Sequence, residues 1–186
     1  MTELEILARQ IGANERTLRR ALNQGTLRGG RPTPRKLKLE YAEQRYIRRS
    51  WGLLAALRGA LRTEQNVRFA LLFGSTARGD DTASSDIDLL VEMRDSSLIR
   101  IAALGEKLEA LLDRRVDIIS IDEAKEDTRL LAQAVSEGRV LVDREDRWAP
   151  LQNEADPLRR SAREEARRAR RRALAGIDRM LGGEAA

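Results

Sequence analysis

One stretch limits what this chain can fold into more than any other. Phe69-Ala70-Leu71-Leu72-Phe73 is an apolar run, Gly74-Ser75 breaks it, and after ten further residues a second run, Asp86-Ile87-Asp88-Leu89-Leu90-Val91, opens with two carboxylates. Strand alternation puts Asp86 and Asp88 on the same side while Ile87 enters the core. Two carboxylates held that close repel unless a cation lies between them, and a hard divalent ion is the usual solution. Asp117 is the only acid in a later apolar segment, Arg115-Val116-Asp117-Ile118-Ile119. If the two segments are neighbouring strands, Asp117 joins Asp86 and Asp88 in a three-carboxylate site able to hold two Mg²⁺ roughly 3.5–4 Å apart.

The turn fits the same chemistry. Gly74 carries no side chain to block close approach, the N–H groups beyond it can point at phosphate oxygens, and the Ser75 hydroxyl adds a donor. Arg78 either supplies charge to those phosphates or holds the loop by pairing with Asp80 or Asp81. The bland alternative for the triad is that acids at strand ends cap helices or pair with arginine.

Composition narrows the chemistry further. The chain has neither Cys nor His, so thiolate and imidazole metal sites and His-based acid–base catalysis are excluded. A net charge of +5 suits an anionic partner, although arginines also simply decorate helices. Aromatic residues are only 3% of the chain, so Leu, Ile, Val and Ala must build the core. No secretory apolar region and no run long enough to span a bilayer is present, and a cytoplasmic protein is expected, with no membrane partner.

Along the chain, Thr2 to Gln24 reads as two short helices, capped by Thr2 and Asn14, turning at Gly12 and stopped by Gly25. The pair resembles a DNA-binding helix-turn-helix, with Glu15, Arg16, Thr17, Arg19 and Arg20 exposed on the second helix; the alternative is a helical pair that only packs or mediates dimer contacts. Thr26 to Lys38, with Pro32 and Pro34 among its basic residues, reads as a linker. An amphipathic helix follows over residues 39–63, then strands at 67–73 and 87–93, and a helix to about Leu112 with a broad buried face. A third strand, one helix from Asp122 to Glu137 stopped by Gly138, and a short last strand complete the body. Asp156-Pro157 reads as the start of a long Arg-rich helix ending at Gly182-Gly183. Its stripe of Leu158, Ala162, Ala166, Ala169, Ala173, Ile177 and Met180 suits another helix, of this chain or of a partner.

The expected fold class is therefore α+β: a small mixed sheet with helices on one face, preceded by the helix-turn-helix and followed by the long C-terminal helix. The expected division is residues 1–38, 39–146 and 147–186.

Gly74-Ser75, the ten-residue spacer, Asp86-Ile87-Asp88 and the later Asp117 resemble the signature of the polymerase β-like nucleotidyltransferases, and the fuller text Gly74-Ser75-Thr76-Ala77-Arg78-Gly79 resembles their minimal prokaryotic members. That resemblance implies transfer of NMP from a triphosphate such as ATP with release of pyrophosphate. Gly74, Ser75 and Arg78 would hold the nucleotide, Asp86, Asp88 and Asp117 the two Mg²⁺, and Asp117 would also help deprotonate the acceptor. It further implies an antitoxin that adenylylates a HEPN-type ribonuclease toxin. Other outcomes are a toxin that nucleotidylates tRNA, or a non-catalytic regulator that binds operator DNA through Arg16, Thr17, Arg19 and Arg20. A homo-oligomer is compatible with either.

Overall fold

The computed structural model describes residues 2–33 and 36–182, with backbone alone at 31–33, 36–37 and 175–182. Two short helices open it, α1 (Glu3–Gln10) and α2 (Glu15–Asn23). Thr2 and Glu5 close a reciprocal capping box on α1, and the Asn14 side chain accepts the Thr17 N–H at 2.7 Å on α2. Gly12 makes the turn between them at φ +67°.

The expected linker holds more order than loop chemistry suggests. Gly30–Thr33 (β1) pairs antiparallel with Lys36–Lys38 (β2) as a two-stranded ribbon; Pro34 and Arg35 of the expected loop lie outside the described residues. A helix of 23 residues follows, α3 (Tyr41–Thr63).

The central sheet contains β3 (Val67–Phe73), β4 (Ile87–Met93), β5 (Val116–Ser120) and β6 (Arg139–Asp143) in the spatial order β5-β4-β3-β6. β4 runs antiparallel to β3 and parallel to β5, and β6 is antiparallel to β3, so the sheet is mixed as expected. Between its strands lie α4 (Gly74–Arg78), α5 (Leu98–Leu112), α6 (Ile121–Glu126) and α7 (Thr128–Glu137), and α8 (Trp148–Gly182) ends the described chain.

Helices cover both faces of this sheet, which corrects the expectation of one covered face. Val67, Ala70, Leu72, Ile87, Leu89 and Val91 pack with α3 and with Leu104 and Leu108 of α5, and Leu4, Leu7, Leu18 and Ala21 of the first two helices join the same core. Phe69, Leu71, Phe73 and Leu90 point the other way, against Ile121, Leu131, Ala134, Val135 and Leu151. Both strands are apolar at every other step and again in between, the pattern of a strand buried on both sides.

Three further expectations are corrected. The segment from Asp122 to Glu137 is two helices, because the Asp127 side chain accepts the N–H groups of Arg129 and Leu130 and so starts α7 afresh. α5 buries a narrow stripe rather than a broad face, with Leu98 and Ile99 more than four-fifths exposed. α8 begins eight residues before Asp156, with Pro150 in its first turn and Pro157 inside it. A mid-helix proline costs about 3 kcal/mol. Burial of an aliphatic side chain returns about 1.5–3 kcal/mol, and Leu151, with partly buried Trp148, Ala155 and Leu158, packs against the second core and carries the helix through. From Arg163 to Leu174 every residue is exposed, so among the described side chains the apolar stripe packs within this chain at Leu158 and Ala162 and is exposed at Ala166, Ala169 and Ala173; Ile177, Met180 and Gly183 lie outside what is described of the side chains.

Candidate active site

β3 ends directly at α4, so Gly74 sits at the junction of a buried strand and a helical turn, at φ +71°. Residue 73 pairs with Asp88 across the antiparallel ladder, which brings the Asp88 carboxylate onto Gly74. A Cβ built on Gly74 would collide with Asp88 Oδ2 and lie 3.0 Å from its Cγ. Only glycine meets both demands, the left-handed backbone and the missing side chain.

On its other side β4 pairs in parallel with β5, and Asp88 stands directly opposite Asp117. Register partners on neighbouring strands present their side chains to the same face. Asp86, two residues before Asp88, lies just ahead of β4, where the exposed Arg115 reaches its Oδ1 at 3.9 Å. Asp88 and Asp117 thus face one another, with Asp86 two residues before Asp88, at the end of the sheet where β3 leaves and β4 enters.

Their electrostatics are those of a crowded anionic site. Burial raises the Asp88 carboxyl above its ordinary value, and the neighbouring Asp117 and Asp86 raise it further, while Arg78 acts in the opposite direction. Among the described residues no three acids stand at ligand spacing around one point. The donor set is nonetheless all oxygen, with unbalanced negative charge on Asp88, and that chemistry fits a hard divalent cation.

Ser75 is half-buried beside Gly74, within the first turn of α4. Arg78, at the far end of the turn, is exposed and doubly paired: Nη1 donates to Glu137 Oε2 at 2.8 Å and Nε to Asp80 Oδ2 at 3.1 Å. Asp81 is instead gripped by Arg114 Nη1 at 3.0 Å and by Arg49.

The sequence matches a known family. The description "Polymerase beta, Nucleotidyltransferase" fits residues 56–147, and over 68 residues the chain is 41% identical to the protein adenylyltransferase MntA of Thermococcus cleftensis, covering 36% of this chain and 69% of that protein. This chain belongs to the polymerase β-like nucleotidyltransferases. As a nucleotidyltransferase of the minimal type it also resembles solved structures. One is a toxin-antitoxin with AMP-PNP (25% identity, TM-score 0.47, 69% of this chain and 98% of that one). Another is a tri-AMPylated Shewanella oneidensis HEPN toxin in complex with an MNT antitoxin (22% identity, TM-score 0.40, 73% and 98%).

Sequence reasoning missed the residues that hold this nucleotidyltransferase site in shape. Arg114 donates to the Ser85 carbonyl at 2.7 Å, to Thr76 Oγ1 at 3.3 Å and to Asp81, tying down the loop that delivers Asp86. Arg139 is buried under α4: Nε donates to the Ala77 carbonyl at 2.6 Å, and its two Nη atoms meet Glu43 Oε1 and Oε2 at 2.6 and 2.9 Å. Its guanidinium also stacks 3.5 Å above the Tyr46 ring. An arginine opening a strand written Arg139-Val140-Leu141-Val142 reads as an edge charge; its partners lie 62 and 96 residues away.

Proposed function

We propose that this nucleotidyltransferase transfers AMP from ATP to a hydroxyl of a protein partner, in the presence of Mg²⁺, and that it serves as the antitoxin of a HEPN-type toxin. The observation that carries the proposal is the pairing of Asp88 with Asp117 across β4 and β5, with Gly74 opened to Asp88. The protein adenylyltransferase relative supports the choice of AMP and of a protein acceptor.

In this reading Gly74 lets the triphosphate approach the backbone, Ser75 donates its hydroxyl to a phosphate oxygen, and Arg78 exchanges part of its pairing with Glu137 and Asp80 for the phosphates. Asp86 and Asp88 would hold divalent ions, which would supply charge to offset that of the triphosphate and of the developing transition state. Asp117 takes the proton as the acceptor oxygen bonds to the α-phosphorus, and the bond from that phosphorus to the pyrophosphate oxygen breaks. Co-expression with a HEPN-type toxin tests the proposal: intact mass should show the toxin heavier by whole AMP units, and unmodified when Asp86 and Asp88 are both Asn. A toxin left unmodified by the wild-type chain would remove the antitoxin assignment.

A second reading adds operator DNA bound through α1 and α2. Arg16 and Arg20 are exposed on α2, whereas Arg19 is tied to Glu15 and Thr17 Oγ1 donates to Asn14 Oδ1, which leaves the first two as the free basic contacts. Promoter binding that falls on Arg16→Ala with Arg20→Ala is its test.

A further inference from the structure

Opposite to the carboxylates in charge, and outside the transfer site, is a small cleft where α2 meets α3. It encloses about 150 Å³ and is lined by Asn14, Arg16, Thr17, Arg20, Arg58 and Arg62: four arginines and no acid. Arg16 and Arg20 come one turn apart on α2, Arg58 and Arg62 one turn apart on α3, so each pair shares a face of its helix and the two faces meet. Like charges at such spacing repel, and a helix pair has no structural need for them.

Arg58 is the unusual member. Its residue is 5% exposed, yet no acid pairs with it among the described residues; Nη2 donates to Gln24 Oε1 at 2.5 Å, and Nε is buried without a partner. Gln24 is already shared, since Arg62 Nη2 reaches the same oxygen at 3.5 Å. Burial, with Arg62 and Arg20 nearby, lowers the Arg58 pKa to about 10. A buried arginine is ordinarily bonded at every N–H or paired with a carboxylate, as Arg139 is with Glu43. At Arg58 the complement is missing.

We infer that the cleft between α2 and α3 is an oxyanion site for a phosphate group, with Arg58 as its buried floor and Arg16, Arg20 and Arg62 as its rim. A single phosphate suits both the volume and the lining: it seats against the Arg58 guanidinium at the base of the cleft while relieving the repulsion of four guanidinium groups. The source is either a nucleic-acid backbone phosphate or a free one. The site does not depend on the transfer chemistry, and its carboxylate-free lining separates it from the site at Asp86, Asp88 and Asp117.

The test titrates the chain of residues 1–186 with inorganic phosphate, and separately with duplex DNA of arbitrary sequence. Calorimetry is combined with the Arg Nε–Hε resonances by NMR. Phosphate should shift the Arg58 Nε–Hε signal, and Arg16→Ala with Arg20→Ala should weaken that binding about tenfold or more, a loss of about 1.4 kcal/mol. Arg58→Lys, which keeps charge but lacks the Nε donor, should weaken it as well; if that variant fails to fold, the surface pair alone decides. A backbone source predicts that the rim pair lowers the salt slope for duplex by about two. A free-phosphate source predicts an unchanged slope with phosphate binding still lost in the variants. Phosphate that leaves Arg58 Nε–Hε unmoved, or binds the rim variant as tightly as the wild type, overturns the inference.

Discussion

The carboxylate of Asp88 occupies the space that any side chain on residue 74 would need: a Cβ built there lies 3.0 Å from Asp88 Cγ and runs into Oδ2. Gly74→Ala must therefore displace Asp88 and also hold alanine at φ +71°. The backbone strain alone costs about 1–3 kcal/mol. The variant should melt several degrees lower and lose nucleotidyl transfer by more than its folded fraction explains. Activity per folded molecule equal to wild type would show that Asp88 is not positioned by this contact.

Asp88 should make the protein less stable at neutral pH. Its carboxyl titrates above the unfolded value because burial, Asp117 and Asp86 disfavour the charge. Between the unfolded and folded values the folded state binds more protons, so stability falls as pH rises through that window and stays reduced above it. Asp88→Asn should raise the melting temperature at pH 7, with the gain fading below about pH 4. Added Mg²⁺ should stabilise the wild type and leave the Asn variant unmoved. A Tm for Asp88→Asn below wild type at pH 7 would contradict the electrostatic account.

The buried pair of Arg139 and Glu43 binds the strand after α7 to α3 beneath the α4 turn. Glu43→Gln leaves a buried guanidinium without its counter-charge, a loss of about 3–5 kcal/mol. For a chain of this size that is a drop of about 6–20 °C in melting temperature. Replacing both partners, Glu43→Leu with Arg139→Met, should cost less than the single change. Thermal denaturation of the two variants decides it.

Arg78 should act on binding more than on turnover. Arg78 and its partner Asp80 are both exposed, so phosphates can compete for its donors even though Glu137 is largely buried. Removing one charge-assisted hydrogen bond costs about 1.5–3 kcal/mol. Arg78→Ala should therefore raise KM for the triphosphate about tenfold or more, with a smaller change in kcat. A purely structural arginine would instead show a lower melting temperature and an unchanged KM.

The sheet was largely legible from alternation and spacing: β3 and β4 begin and end where the apolar runs do, and Asp117 falls opposite Asp88. These features are local, or depend on one strand pairing. What could not be read depends on contacts far apart in the chain. Pro157 looks like a helix start until Leu151 and Leu158 are seen packed on the second core. Arg114 and Arg139 look like two arginines among many until their carbonyl and carboxylate partners are in place. The four arginines of the α2–α3 cleft are likewise split into two pairs, Arg16 and Arg20 on one helix and Arg58 and Arg62 on another, more than thirty residues apart, and no spacing in either helix announces them.

The central claim is that Asp86, Asp88 and Asp117 form one site that transfers a nucleotide. Single-turnover reaction of α-labelled ATP with Mg²⁺ and the HEPN-type toxin proposed as acceptor tests it most directly, comparing wild type with Asp117→Asn. The account predicts label on the partner with wild type and a loss of at least about 100-fold with Asp117→Asn, the order expected for removing a positioned base. Equal labelling by the two proteins would contradict it.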